Sequence, residues 1–181
     1  MMAMQGALTM SSARSPVWGQ TEFECKALRQ ALGRYPTGVA IVTARCPDGR
    51  AIGLTINSFA SLSLSPALVL WSLVDRSPNL AAFQQASHFA ISVLGQDQQA
   101  LASRFANPAV VDKFDQVAVR EAPEGMPVIE GAVATLVCST VKHHSEGDHE
   151  LFIGRVVRLD TLEGAPLVFH HGRFESLVHA S

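Results

Sequence analysis

Two β-hairpins in the sequence constrain the fold most. Residues 39–44 are rich in β-branched side chains and too short for a stable helix, and the turn Pro47-Asp48-Gly49-Arg50 leads into a second short run at 51–55. A longer pair, 132–144 and 150–162, flanks the turn at 145–148. Because hairpins rather than regularly alternating helices join neighbouring strands, the pattern disfavours a doubly wound parallel sheet and predicts an antiparallel barrel.

Shorter segments complete a fold that is mainly β with peripheral helices. The segment 66–73 is apolar at nearly every position, so we expect it to be buried on both faces. A capping-box pattern at Thr21-Glu22-Phe23-Glu24 starts the first predicted helix, and Pro36 follows its end. We expect residues 1–20 to form a flexible tail and residues 21–181 to form one domain. Further strands are predicted at 89–94, 117–119, 167–170 and 174–177, and further helices at 79–86 and 96–106.

Composition excludes several classes of protein. Charged residues make up 17% of the chain, against about 25% in a typical soluble protein, so we expect a second subunit or a bound cofactor to cover part of the surface. The net charge of −2, without a Lys/Arg cluster, argues against a nucleic-acid partner. No apolar run is long enough for a membrane span, and no signal-peptide pattern is present. Three cysteines without metal-binding spacing predict free thiols in the cytoplasm.

A polar stretch at residues 53–66 is the first candidate binding segment. Six of its fourteen residues carry hydroxyl or amide side chains, and their alternation puts Thr55 and Asn57 on one face. Grouped amides and hydroxyls can hold a ring edge or a phosphate. An ordinary serine-rich loop fits the same pattern.

Three further signals each have a structural alternative. Arg104 can clamp a phosphate while Phe105 packs on an adjacent ring, or the pair can be a surface charge beside a core aromatic. His149, at the tip of the second hairpin, can contact a bound phosphate or nicotinamide, or be a solvated turn residue. The pairs His143-His144 and His170-His171 sit on strands where neighbours face opposite sides, so neither pair can chelate one ion. We therefore predict no metal site.

Seven segments occur in a familiar order along residues 23–177. They are 35–43 (YPTGVAIVT), 53–66 (GLTINSFASLSLSP), 104–105 (RF), 112–114 (DKF), 127–131 (PVIEG), 147–149 (GDH) and 166–169 (PLVF). Together they resemble the short-chain flavin reductases, the NAD(P)H:flavin oxidoreductase components of two-component flavin-dependent monooxygenases. The resemblance implies an FMN-binding split barrel, a homodimer with flavin near the subunit interface, and an oxygenase component that receives reduced flavin.

The same resemblance implies roles for individual residues. The flavin ring and ribityl chain would lie along residues 53–58, and the ribityl phosphate near residues 72–74 and the turn at 77–79. The nicotinamide nucleotide would lie near the hairpin tip at 147–149 and the segment 164–167. His149 would hold the nucleotide while hydride passes to flavin N5, and the amides and hydroxyls of residues 55–61 would stabilise charge at N1/O2. The cofactor-binding set is Gly53, Leu54, Thr55, Ile56, Asn57, Ser58, Ser61, Ser72, Leu73, Val74, Ser77, Asn79, Arg104, Phe105, Pro166 and Leu167.

Several alternatives stay open at this point. The flavin can be FMN or FAD, and the donor NADH or NADPH. A flavoprotein that keeps FMN permanently bound, as an electron carrier or oxidase, would use the same fold. A structural or metal-binding barrel that uses the seven histidines is a further alternative.

Overall fold

The computed structural model describes residues 24–177. Antiparallel β-strands are the main secondary structure of this part of the chain, which confirms the predicted fold class. The elements are α1 (Cys25–Leu32), β1 (Thr37–Gly38), β2 (Ala40–Arg45), β3 (Ala51–Ile56), β4 (Ala60–Leu64), β5 (Ala67–Val74), α2 (Leu80–Gln85), β6 (His88–Val93), a 3-10 turn (Gln96–Gln98), α3 (Gln99–Ala106), β7 (Val119–Glu121), β8 (Pro127–Ile129), β9 (Ala134–Glu146), β10 (His149–Thr161), β11 (Val168–His170) and β12 (Arg173–Glu175).

A seven-stranded sheet in the order β3-β2-β6-β9-β10-β5-β4 forms the body of the molecule. Its two edge strands, β3 and β4, are consecutive in the chain and are joined by residues 57–59 alone. In a flat sheet the edges would lie about 29 Å apart, at about 4.8 Å per strand. The link spans at most about 15 Å, at about 3.8 Å per Cα step. The sheet must therefore curl until its edges approach, and the result is a split barrel.

Aromatic side chains fill the interior of the barrel. Trp71 of β5 stacks on Phe152 of β10 with ring centroids 4.4 Å apart, and it meets the edges of Phe83 and Phe89 at 5.0 and 5.8 Å. All four rings are buried. Gly154 gives them room, because a Cβ at that position would lie 2.9 Å from Phe89 Cε1. Phe83 belongs to α2, so this helix closes one side of the core.

A second, smaller core lies on the outside of β2 and β3. It contains Ile41 of β2, Ala102 and Phe105 of α3, and Leu167, all of which are buried. The helix α3 is fixed over this face, because Thr55 Oγ1 donates to the carbonyl of Ala102 at 2.7 Å. Apolar side chains of β2 thus point to both faces of the sheet, and the sheet contributes to both cores.

The two predicted hairpins are confirmed, and β6, α2, α3 and β11 lie close to their predicted positions. Other short elements differ from the predictions. The expectation that residues 66–73 are buried on both faces is wrong, because exposure alternates along β5 and only Val69, Trp71 and Leu73 are enclosed. The strands β1, β4 and β8 were not expected. The helix α1 begins at Cys25, and the predicted capping box at residues 21–24 and tail at residues 1–20 lie outside the described residues, apart from Glu24.

The described part of the chain contains no helix that is both long enough and apolar enough to cross a membrane. All three cysteines are free, with Cys25 exposed and Cys46 and Cys138 buried. Burial raises the pKa of the Cys138 thiol to about 12. Within the described residues, no three His, Cys, Asp or Glu side chains converge as metal ligands would.

Candidate functional site

The strands β5 and β10 place several predicted site residues on the outer face of the barrel. Along β5, Ser72 and Val74 alternate with the enclosed Trp71 and Leu73 and therefore point outward. In the antiparallel pairing of β10 with β5, His149 stands opposite Val74 and Leu151 opposite Ser72. His149, Ser72 and Val74 consequently share one face at one end of the barrel.

Ser58 connects this face to the β3 edge of the sheet. Its hydroxyl donates to the Ser72 carbonyl and accepts from the Ser72 amide, both at 3.1 Å. The pairing of β4 with β5 ends at Ala60 and Leu70, so the Ser58 hydroxyl takes the place of the next backbone partner. This pair of hydrogen bonds brings the 57–59 link, including the exposed side-chain amide of Asn57, beside the outward-facing residues of β5.

The turn after β5 meets the tip of the β9–β10 hairpin. The amide of Asp75 donates to the carbonyl of Asp148 at 3.0 Å. The turn is closed by the Ser77 amide, which donates to Val74 O at 2.9 Å, and the Asn79 amide reaches Ser77 Oγ at 3.3 Å. The segment predicted to bind a phosphate therefore touches the segment predicted to bind the nicotinamide nucleotide.

His149 is half-exposed at this junction. Its Nδ1 lies 2.7 Å from Asp148 Oδ1, and this hydrogen bond lowers the pKa of the Asp148 carboxyl. An ionised carboxylate only accepts, so Nδ1 carries the proton and Nε2 is free to face a ligand. Gly147, with φ of 64°, supplies the left-handed residue that the two-residue turn requires.

Gly53 and Thr55 of β3 face α3. A Cβ on Gly53 would lie 2.9 Å from Phe105 Cε1 and 3.2 Å from Phe114 Cζ. Phe105 and Phe114 meet edge to face, with centroids 5.1 Å apart. Phe105 is completely enclosed, so its ring packs in the second core. It supports the backbone of β3 from below.

Arg104 is half-buried and already has partners within the chain. Its Nε and Nη2 donate to the carbonyls of Lys113 and Asp112, each at 2.9 Å. Lys113 returns the contact, because its Nζ donates to Phe105 O at 2.6 Å and burial lowers its pKa. The Arg104 guanidinium thus fixes the loop after α3, and only its remaining N–H groups are open to a phosphate.

Several other predicted residues can contribute only backbone groups, rather than side chains, to the candidate site. The side chains of Ile56, Leu73 and Leu167 are buried, so they can reach a ligand only through backbone groups, and Leu54 packs against the interior core. The Leu167 amide donates to the Leu94 carbonyl, the Leu167 carbonyl accepts from the Val39 amide, and Pro166 pairs with Gly95. Ser61 is exposed on the edge strand β4. Hydrogen bonds and strand pairing therefore join Ser58, Ser72, Val74, Ser77, Asn79 and His149. The other predicted site residues lie on β3, β4, α3 and the segment that leads into β11.

Comparison with known proteins identifies the family. Residues 32–178 match the family model described as flavin reductase like domain. The chain belongs to the flavin reductase family. It is 44% identical over 149 residues to FMN reductase (NADH) SmoA of Agrobacterium fabrum, which covers 82% of this chain and 84% of that protein.

Two further members of the flavin reductase family extend the comparison. The reductase subunit HsaB of a flavin-dependent monooxygenase from Rhodococcus jostii is 36% identical over 153 residues, covering 84% of this chain and 77% of that protein. Among solved structures, the Streptomyces globisporus NADH:FAD oxidoreductase SgcE6, in complex with NAD and FAD fragments, superposes with a TM-score of 0.79. It is 37% identical and covers 83% of this chain and 91% of that one.

One feature of this flavin reductase family member was missed by sequence reasoning. Glu150, beside His149, is buried and accepts hydrogen bonds from Gln84 and Ser145 and a close contact from His143 Nδ1. These bonds lower the pKa of Glu150 to about 2, so the carboxylate is ionised at neutral pH. The available signal was the hairpin register, which places Ser145 opposite Glu150 on an inward-facing position.

Two concave sites lie away from this junction. A cavity of about 290 Å³ is bordered by the Arg120–Asp160 and Arg158–Glu124 ion pairs. A wider groove of about 610 Å³ separates α1 from the β11–β12 turn and is lined by Lys26, Arg29 and His171 among others. Neither contains the predicted flavin residues, which form an open surface instead.

Proposed function

We propose that this chain is an NADH-dependent flavin reductase that transfers hydride to the N5 atom of FMN or FAD. One observation carries the proposal: the Asp75–Asp148 hydrogen bond and the Val74–His149 pair join the predicted phosphate turn to the predicted nucleotide hairpin. Two ligands that must exchange a hydride have to lie within about 3–3.5 Å of each other. A shared junction between their binding segments supports that requirement.

The donors at the junction fit a flavin with a phosphorylated side chain. Hydroxyl and amide groups of Ser77 and Asn57 offer neutral donors to phosphate and ribityl oxygens. Arg104, on α3, would add the cationic N–H groups that are not bonded to Lys113 and Asp112. A bound flavin supplies the electron-accepting ring, which is the chemistry that protein side chains lack. The protein has to position two rings and exclude competing reactions.

His149 has the role of holding the nicotinamide nucleotide. Its Nδ1 is occupied by Asp148, which fixes the ring so that the other nitrogen faces outward beside Val74. Hydride transfer needs no proton from the protein, so His149 acts by positioning and by supporting negative charge on the reduced ring. The names of the relatives, FMN reductase (NADH) and NADH:FAD oxidoreductase, favour NADH and leave FMN and FAD as alternatives.

A separate oxygenase component is the partner that we propose for the reduced flavin. Relatives such as HsaB are named as reductase subunits of flavin-dependent monooxygenases. The free cysteines and the family resemblance support a cytoplasmic protein with one catalytic domain at residues 21–181.

We also propose a homodimer, which the outer face supports. On the outward positions of β5 and β10, Leu68, Leu70, Leu151 and Ile153 lie half-exposed around Ser72, and Leu64 of the edge strand β4 is 94% exposed. An apolar face of this kind beside a binding site is covered in stable proteins by a partner or a ligand. Analytical ultracentrifugation at micromolar concentration tests this, and a flavin-loaded monomer would contradict it.

The decisive experiment measures oxidation of NADH and NADPH by their absorbance, with FMN, FAD or riboflavin added. We expect rapid NADH oxidation that depends on added flavin, with multiple turnovers per subunit. A protein that stays yellow after extensive dialysis and does not accelerate this oxidation would instead be a flavoprotein with permanently bound FMN. Metal analysis of the same sample tests the metal-binding alternative.

A further inference from the structure

The carboxylate of Glu150 gathers donors from two separate elements. Ser145 Oγ, from β9, donates to Oε2 at 2.7 Å, and Gln84 Nε2, from α2, donates to Oε1 at 3.1 Å. His143 Nδ1, also from β9, contacts Oε1. The Glu150 side chain is 4% exposed. Both carboxylate oxygens are therefore satisfied inside the protein, in the charged form.

The donors connect the two halves of the proposed site. Glu150 directly follows His149 on β10, and the two side chains leave the strand on opposite faces. Gln84 lies in the short helix α2, which begins immediately after the Ser77–Asn79 turn. A single carboxylate therefore ties the strand that carries His149 to the helix that anchors the turn predicted to bind the flavin phosphate.

A buried carboxylate contributes little net free energy to folding. The cost of removing the charge from water offsets most of the benefit of its hydrogen bonds, and apolar residues of similar volume often give equal or greater stability. The neighbouring Phe152 and Trp71 show that apolar packing is available at this end of the barrel. The carboxylate instead fixes the distance and angle between β10 and α2, which apolar contacts define less sharply.

We infer that Glu150 is a positioning residue that holds His149 in register with the Ser77–Asn79 turn, so that the nicotinamide nucleotide and the flavin are aligned. The inference rests on the proposed function. Glu150 itself contacts neither ligand, because it faces the interior. Its effect passes through the backbone of β10 to His149 and through Gln84 to α2.

The test compares Glu150→Met, which keeps the volume and removes the acceptors, with Glu150→Gln, which keeps one acceptor oxygen and the shape. We expect Glu150→Met to raise the KM for NADH about tenfold, since small misplacements of reacting groups have large kinetic effects, while its Tm stays near that of the wild type. Glu150→Gln should restore most of the lost kcat/KM. Glu124→Gln and Glu124→Met are matched controls, because Glu124 pairs with Arg158, nine residues from His149 along β10, and neither should change KM.

A double-mutant cycle separates positioning from general damage. If Glu150 acts through His149, Glu150→Met should cause little further loss in a His149→Ala background, whereas independent effects would multiply. Multiplying effects, an unchanged KM in folded Glu150→Met, or a loss that merely follows a fall in Tm would overturn the inference.

Hydrogen exchange of the ligand-free protein gives a readout that does not depend on activity. We expect the Asp75 amide, which bonds to Asp148, to exchange about tenfold faster in Glu150→Met, while the Ile91 amide in the central strand β6 is unchanged. Equal protection in both proteins would refute the positioning role. Failure of the wild type to oxidise NADH with any flavin would refute the proposed function, and the exchange result would still decide whether Glu150 orders the junction.

Discussion

Replacing Ser58 by alanine tests how the two edges of the sheet are held together at the site. The hydroxyl makes two hydrogen bonds to backbone groups of Ser72 that no neighbouring strand satisfies. Each bond contributes about 0.5–1.5 kcal/mol net, so two contribute about 1–3 kcal/mol. Because Ser58 and Ser72 are half-buried, water can replace part of the loss, and we expect about 1–2 kcal/mol.

That loss has two measurable consequences. Unfolding of a domain of this size shifts by about 2–4 °C per kcal/mol, so the Tm of Ser58→Ala should fall by about 2–8 °C. If flavin binding has to restore the order of the 57–59 link, the same free energy raises the flavin Kd by about 5–30-fold. Differential scanning fluorimetry and quenching of flavin fluorescence measure the two quantities.

Two variants make the result interpretable. Ser63→Ala removes a hydroxyl from the adjacent strand β4, for which the structure shows no side-chain hydrogen bond among the described residues, and it should leave Tm unchanged. Ser58→Thr keeps the hydroxyl and should restore most of the flavin affinity. A Ser58→Ala protein that melts with the wild type would refute the structural part of the reasoning, and a lower Tm with unchanged Kd would refute its connection to the site.

Three other substitutions have expected outcomes. His149→Ala should raise the KM for NADH and lower kcat/KM about tenfold, with flavin affinity within about twofold of the wild type; a collapse of flavin binding in a titration would instead place His149 in the flavin pocket. Arg104→Ala should weaken the binding of FMN more than that of riboflavin, by about 1.5–3 kcal/mol, since only FMN offers a phosphate. Equal losses of affinity in a binding titration would show that Arg104 serves only to hold the loop at Asp112, to which it is already bonded. Gly154→Ala should destabilise the protein by about 1–3 kcal/mol in urea denaturation, because the new methyl group would overlap Phe89 and lie 2.9 Å from Cys138 Cβ. Adding Phe89→Leu should recover part of that loss. An unchanged urea midpoint of Gly154→Ala would show that the core relaxes freely.

The two hairpins were predictable because the local sequence specifies them. The run at 39–44 is β-branched, and the Asp48-Gly49 turn follows it, so strand, turn and strand are each visible within a few residues. The strand β4, Ala60–Leu64, alternates serine with leucine and contains no β-branched residue, and its small polar side chains are equally typical of a loop. Its pairing with β5, rather than its own sequence, makes it a strand.

The error on residues 66–73 has a physical reason. Apolar residues on both faces indicate burial on both faces only when both are covered within one chain. In β5, Leu68 and Leu70 point outward, where the described residues leave them half-exposed. A sequence cannot distinguish a face buried in its own core from one reserved for a partner or a ligand.

The site was predictable where its residues lie close together in the chain. Gly147-Asp148-His149 and Ser77–Asn79 are local turns with recognisable composition. The hairpin register indicates only the Ser145 contact of Glu150. The burial of Glu150 and its bond to Gln84 were not predictable, because Gln84 lies 66 residues away and the burial depends on the whole barrel. The sequence left the position of Phe105 open, because an arginine beside an aromatic does not reveal which of the two faces the solvent, and the structure encloses the aromatic ring.

The three-residue link between β3 and β4 also bears on how proteins of this shape can vary. Surface hairpin loops tolerate insertions, since lengthening a flexible loop has only a small entropic cost. The 57–59 link is different, because its length sets how far apart the two sheet edges can stand, and Ser58 is bonded across that gap to Ser72. One or two inserted residues would let the edge strands β3 and β4 move apart while every strand and every core side chain stayed the same. The separation of the two sheet edges is therefore set by the length of the backbone at one point. We expect relatives that bind a larger or smaller ligand beside this link to differ by an insertion or a deletion here rather than by a substitution.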